Sequence, residues 1–216
     1  MKKLAITISL LAGATVGYSQ GVVNWSDYAP ASGGLSAFSI EVFSPGTGGP
    51  GNTSADLPPG TATYSGAPVS AGYEIGLYDA TTSGGLATAL AGTPLAVDTF
   101  TTANSFPGRW DVSGGLNAAD PSNPSGTAVF IELAAWSTAD GATSYAQALS
   151  QGVQTGLSGP STGTTLLGGG GTPPATPGTL AGIGLQSFAV SIPEPSTIAL
   201  GVIGASTFLL RLRRKQ

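Results

Sequence analysis

The sequence predicts an all-β chain: a single β-sandwich domain of jelly-roll or immunoglobulin-like type, with little helix. Three observations carry that expectation. Several windows alternate apolar and polar residues with period two. Glycine and proline clusters separate those windows. The chain is 41% hydrophobic and only 8% charged over 216 residues, enough for one core of modest size.

Taken in order, the first window is Ser36 to Phe43. Phe38, Ile40 and Val42 share one face there, and Ser39 and Glu41 take the other. In Tyr73 to Asp79 the apolar face is Tyr73, Ile75 and Leu77, with Glu74 and Tyr78 opposite. Leu95 to Thr101 is a weaker strand signal. Ala128 to Ser137 lines Val129, Ile131, Leu133 and Ala135 on one face and points Glu132 away with Phe130 and Trp136. The last window places Gln186, Phe188, Val190 and Ile192 against Ser187, Ala189 and Ser191. Such alternation argues half-buried antiparallel strands. Turn chemistry fills the gaps, as at Pro45-Gly46, Pro58-Pro59-Gly60, Ser83-Gly84-Gly85, Pro107-Gly108 and Ser113-Gly114-Gly115. One short helix is expected over Ser144 to Gln151, with Asp140 or Thr143 near its start.

Gly156 to Gly184 differs in composition. It holds Gly168 to Gly171 and Thr172-Pro173-Pro174-Ala175-Thr176-Pro177. Too little apolar surface is available there to offset the entropy of ordering, so a long surface loop inside the domain is expected. No repeat occurs at a solenoid or propeller period.

The charges sit at the ends. Lys2, Lys3, Arg211, Arg213, Arg214 and Lys215 leave Arg109 as the one base between Gln20 and Ile192, against ten acids, a net charge of -9. Such a body repels phosphate backbones, so nucleic acid is excluded as a partner. Met1-Lys2-Lys3, the apolar stretch Leu4 to Val16 and Gly17-Tyr18-Ser19 have the form of a signal peptide over 1–19, cleaved before Gln20. At the other end Pro193-Glu194-Pro195 precedes Ser196-Thr197, the apolar run Ile198 to Leu210 and the cluster Arg211, Arg213, Arg214 and Lys215. Ser196 to Leu210 would be roughly 22 Å long as a helix, at ~1.5 Å per residue. A hydrocarbon core is ~30 Å thick, so the span is short and draws on Leu212 and snorkelling arginines. Positive charge after the span keeps that side in the cytoplasm and puts residues 20–192 outside.

These last residues, 193–216, resemble the PEP-CTERM sorting tail of Gram-negative bacteria. The resemblance implies recognition of Pro193, Glu194 and Pro195 by an exosortase, a membrane-embedded transpeptidase-like protease. It also implies a stop-transfer role for the Arg211, Arg213, Arg214 and Lys215 cluster. The mature protein would then reach the cell surface or extracellular matrix, as a companion of exopolysaccharide. The acidic body, with its Gly-Val-Val-Asn-Trp opening and Gly-Leu-Gln-Ser-Phe close, is also similar to small exported proteins of Verrucomicrobia-like bacteria. That similarity implies no activity.

Candidate chemistry in the body is sparse. Cysteine and histidine are both absent, which argues against zinc sites, cysteine nucleophiles, Ser-His-Asp triads and disulfide frameworks. No cofactor or metal is expected. Glu74 and Glu132 are the outward carboxylates formally available for glycoside hydrolysis, but acids at such positions mostly form solvated surface, and no enzyme is expected. Trp25, Trp110 and Trp136 could stack sugar rings. Arg109 beside Trp110 and Asp111 makes Pro107 to Asp111 the richest polar-aromatic cluster. Arg109, Trp110 and Trp136 are therefore the candidate ligand residues, with polysaccharide as the candidate partner. The competing and favoured reading makes the tryptophans core and Arg109 a tie to Asp111 or another acid. Asp111 with Asp120, or Asp79 with a turn carbonyl, would be the start of a calcium site, but no calcium-loop motif is present. The Gly168 to Gly171 run lacks the Lys-Ser/Thr of a phosphate loop. Thr61-Ala62-Thr63 and Thr99-Phe100-Thr101 lack the repeated array that ice binding needs. Asn24-Trp25-Ser26 and Asn52-Thr53-Ser54 match the glycosylation acceptor pattern.

Overall fold

The computed structural model describes residues 20–29, 38–45, 67–100, 108–110, 116–169 and 174–192. The expected signal peptide (1–19) and sorting tail (193–216), together with Asp111, Asn52 to Ser54 and Thr61 to Thr63, lie outside the described residues. Strands dominate. In chain order they are β1 Gln20–Asn24, β2 Tyr28–Ala29, β3 Phe38–Ser39, β4 Val42–Phe43, β5 Tyr73–Ala80, β6 Ala96–Thr99, β7 Asn117–Pro124, β8 Ala128–Ser137, β9 Thr155–Leu157, β10 Thr165–Leu166, β11 Gly178–Thr179 and β12 Phe188–Ala189. The helices are short, α1 Leu86–Leu90 and α2 Tyr145–Gln151, and a 3-10 turn at Ser83–Gly85 leads into α1.

The main sheet runs β10-β8-β5-β6, with β9 also paired to β8. A second sheet runs β11-β1-β7. Strands β5 and β8 pair antiparallel over the full length of β5, from Tyr73 opposite Ser137 to Ala80 opposite Phe130. Their inward residues Ile75, Leu77, Val129, Ile131, Leu133 and Ala135 are fully buried. They share one core with Val23 of β1, Ala118 of β7, Ile40, Val42, Leu180, Leu185, Phe188 and Val190. Not every pairing is antiparallel, as the alternation implied. The β1–β11 and β12–β4 pairs are parallel, since both partners are brought together by long returns and not by hairpins.

The outward face of the main sheet departs from expectation. Trp136 is fully buried, and Glu132 is only 4% exposed. Both helices cover this face. Tyr78, Ala134, Trp136, Ala142 and Ala148 form a second apolar cluster, flanked by Ala89, Leu90 and Tyr145. Helix α2 starts where expected but is capped by Ser144, whose side chain accepts from the Gln147 N–H at 3.3 Å. It ends at Gly152 in the left-handed region (φ 71°). Trp136 lies over Gly76 of β5, where an added Cβ would meet the indole at 2.8 Å.

Residues 156–184 are likewise not a surface loop throughout. β9, β10 and β11 fall within this span, and Leu167, Leu180 and Ile183 are buried. Glycine makes this possible through close backbone approach, which offsets the scarcity of apolar side chains. At Gly156 a Cβ would stand 2.9 Å from the Ala189 carbonyl carbon and 3.0 Å from Val190 Cα. Gly156→Ala is therefore expected to cost about 1–3 kcal/mol through overpacking against backbone. Gly84→Ala, where nothing lies within 4 Å, should be near neutral. Urea midpoints of the two variants check this, and equal midpoints would refute the close-approach account.

Candidate functional site

A cleft of about 400 Å³ opens where β5 and β7 approach each other, lined by Asp79, Tyr78, Pro94, Leu95, Asp120 and Asn123 among others. Asp79 continues the inward face of β5 after Ile75 and Leu77. Asp120 follows Ala118 on the inward face of β7 and is 1% exposed. Two carboxyl groups from different sheets thus face one space.

Local structure fixes Asp120. The register of β1 against β7 jumps from Gly21–Asp120 to Gln20–Pro124, so three residues bulge out. The Asp120 side chain closes that bulge. Its Oδ1 accepts from the backbone N–H of Ser122 at 2.7 Å and of Asn123 at 3.2 Å, and its Oδ2 accepts from Asn123 Nδ2 at 2.6 Å. Asp79 differs: its Oδ2 is buried and receives no donor. Burial first, and then the Asp120 carboxylate beside it, push the Asp79 pKa up to about 7. A proton on Asp79 allows its carboxyl to share a hydrogen bond with the neighbouring Asp120 side chain. The arrangement can hold and release one proton near neutrality.

The expected polar-aromatic cluster is a structural knot. Arg109 Nε and Nη2 both donate to Glu41 Oε1, at 3.2 and 3.0 Å, with each side chain 12% exposed. The tie is to Glu41, from the strand region before β4. Trp110 is 6% exposed; its backbone N–H donates to Asp27 Oδ2 and its Nε1–H to the Trp25 carbonyl, both at 3.0 Å. Its ring stands 6.1 Å from Trp25 and meets Phe100 edge-on at 6.3 Å. Trp136 belongs to the other cluster, its Nε1–H donating to the Ala142 carbonyl at 3.2 Å. Arg109, Trp110 and Trp136 therefore do not form a sugar platform: the two indoles are buried in separate clusters. Stacking on a sugar requires an exposed ring face.

The carboxylates singled out for hydrolysis are also apart. Glu74 lies opposite Trp136 and Glu132 opposite Tyr78, four residues along the strand, or roughly 13 Å at ~3.3 Å per residue. Glycosidase pairs stand about 5–9.5 Å apart. Burial raises the Glu132 pKa, and its charge in turn helps raise that of Tyr145. Among the described residues no group of three acids is placed to hold a metal, and no helix is long and apolar enough to cross a membrane.

The sequence analysis names Asp79 and Asp120, each with a different companion, and misses that they meet. The signal was present: Asp79 occupies the fourth position of an inward-facing series that is otherwise Tyr73, Ile75 and Leu77. The chain matches no family model, no curated protein and no solved structure.

Proposed function

We propose that this chain is an exported, non-enzymatic structural or adhesive protein of the cell surface or extracellular matrix, delivered by a C-terminal PEP-CTERM-type tail and associated with exopolysaccharide. In this reading the body is a β-sandwich of jelly-roll or immunoglobulin-like type. The observation that carries it is the fixed order Pro193-Glu194-Pro195, apolar run, then Arg211, Arg213, Arg214 and Lys215. Opposite it stands the Lys2-Lys3 and apolar start. The sandwich reading is supported by the joint core of the β5–β8 and β1–β7 strands. A structural role is favoured over a glycan-binding module because Trp25, Trp110 and Trp136 are all buried.

In this account the exosortase and the membrane are partners only during sorting. Mass spectrometry of the protein from its native host should find a mature C-terminus near Pro193–Pro195. Recovery of intact Arg213-Arg214-Lys215 from surface material would contradict processing.

A further inference from the structure

Asp79 and Asp120 sit on facing strands of two different sheets, at the mouth of the space between them. Their hydrogen-bond environments differ. Asp120 already accepts three hydrogen bonds, whereas Asp79 Oδ2 is buried without a donor. Two ionised carboxylates in that position would repel and leave one oxygen unsolvated. A single shared proton removes both problems.

We propose that Asp79 and Asp120 form a proton-operated latch between the β5 and β7 strands. The protonated Asp79 carboxyl donates to the Asp120 carboxylate and ties the two strands together across the cleft. Release of that proton to water leaves two facing anions and loosens the contact.

Nothing else lining the cleft compensates the charge. Helix α1 contributes Ala89, the following turn contributes Thr93, Pro94 and Leu95, and the β7 bulge adds only Pro121, Ser122 and Asn123 beside Asp120. The remaining titratable group is Tyr78, whose pKa is itself raised by burial. Among the described residues no lysine or arginine lines the cleft. The surrounding -9 body adds to the repulsion when the proton leaves.

The direction of the pH dependence follows from the folded pKa of about 7, against an ordinary 3.8. Between these values the folded chain binds a proton that the unfolded chain has lost. The stabilisation is complete below about pH 4 and is lost as the pH rises through 7. The folding constant falls by as much as about tenfold per pH unit across that window. The latch is independent of the proposed export.

The test combines two measurements on the full chain. In the unaltered protein the Asp79 carboxyl ¹³C resonance should titrate with a midpoint near 7. In urea unfolding at pH 4 to 8, Asp79→Asn keeps a neutral donor at every pH. It should flatten the profile and exceed the unaltered protein in stability at pH 8. Hydrogen exchange at the Asp120, Ser122 and Asn123 amides should then be slower in Asp79→Asn than in the unaltered protein at pH 8. An Asp79 resonance titrating near 4, or parallel stability profiles for the two proteins, would overturn the proposal. If Asp79→Asn fails to fold, the resonance in the unaltered protein still decides it.

Discussion

Trp110→Ala is expected to lose about 3–5 kcal/mol of stability, the cost of emptying a buried indole site. Against a total of ~5–15 kcal/mol this is among the heaviest single losses the body can sustain. The loss has identifiable parts. The ring packs against Trp25 and Phe100, and its removal opens a cavity among Val23, Val42 and their neighbours in the main core. It also strips the donor from the Trp25 carbonyl. Trp110→Phe separates these contributions: it retains most of the apolar area and should cost about 1–3 kcal/mol, chiefly for the unpaired carbonyl. For a domain of this size the alanine variant should melt on the order of 6–20 °C lower. An exposed sugar platform predicts the reverse, with melting unchanged and glycan binding lost. A melting curve superimposable on that of the unaltered protein would remove the core assignment.

Why the sequence exposes one face of the main sheet and not the other is a matter of period and range. Ile75, Leu77, Val129, Ile131 and Leu133 are legible because a half-buried strand leaves a period-two trace in its own residues. Glu132 and Trp136 fall on the polar phase of the same trace, yet both are buried. What covers them is α1 and α2, which lie outside β8's own pattern. Helix α1 is five residues long, too short to show helical periodicity. Strand β7 is illegible for another reason. Pro121 and Pro124 demote it by the usual rules, and they are tolerated because they flank the bulge opposite Gln20 and Gly21. The Gly-rich 156–184 span is hard to read in sequence because its order comes from backbone proximity, which apolar content does not report. There, glycine admits neighbouring chain, as Gly156 does beneath Ala189.

The candidate site follows the same division. Asp79 carries a visible anomaly, an acid on an inward phase. Its meaning depends on Asp120, 41 residues on in a different sheet, and no local pattern encodes that meeting. Arg109 shows the converse. As the lone base among ten acids in the body its ionic tie was foreseeable, but Asp111 was the nearest acid and Glu41 is the partner observed. Glu41 is placed by long-range contacts: its N–H donates to Ser187 Oγ at 3.0 Å and its carbonyl accepts from the Phe188 N–H at 3.2 Å.

That placement gives the Arg109–Glu41 pair a larger expected effect than a surface ion pair. Gly108, with φ 76°, turns the chain so that its carbonyl accepts from Val42 and its N–H donates to Val69. Arg109 is thereby held against Glu41 with both side chains 12% exposed. Exposed pairs contribute about 0–1 kcal/mol. Removing one partner of a buried pair costs about 3–5 kcal/mol, because a desolvated charge is left behind. Arg109→Met should approach the lower end of that range, since it leaves the Glu41 carboxylate in a body already strongly negative. Glu41→Leu should cost a similar amount by removing the carboxylate that faces the guanidinium. The double variant should recover a large part of the loss, because neither charge of the pair remains. A double-mutant cycle from urea unfolding reads the coupling directly. Single variants within about 0.5 kcal/mol of the unaltered protein would show that water screens the pair as at an open surface. The case against a glycan site at Arg109 and Trp110 would then rest on the buried tryptophan alone.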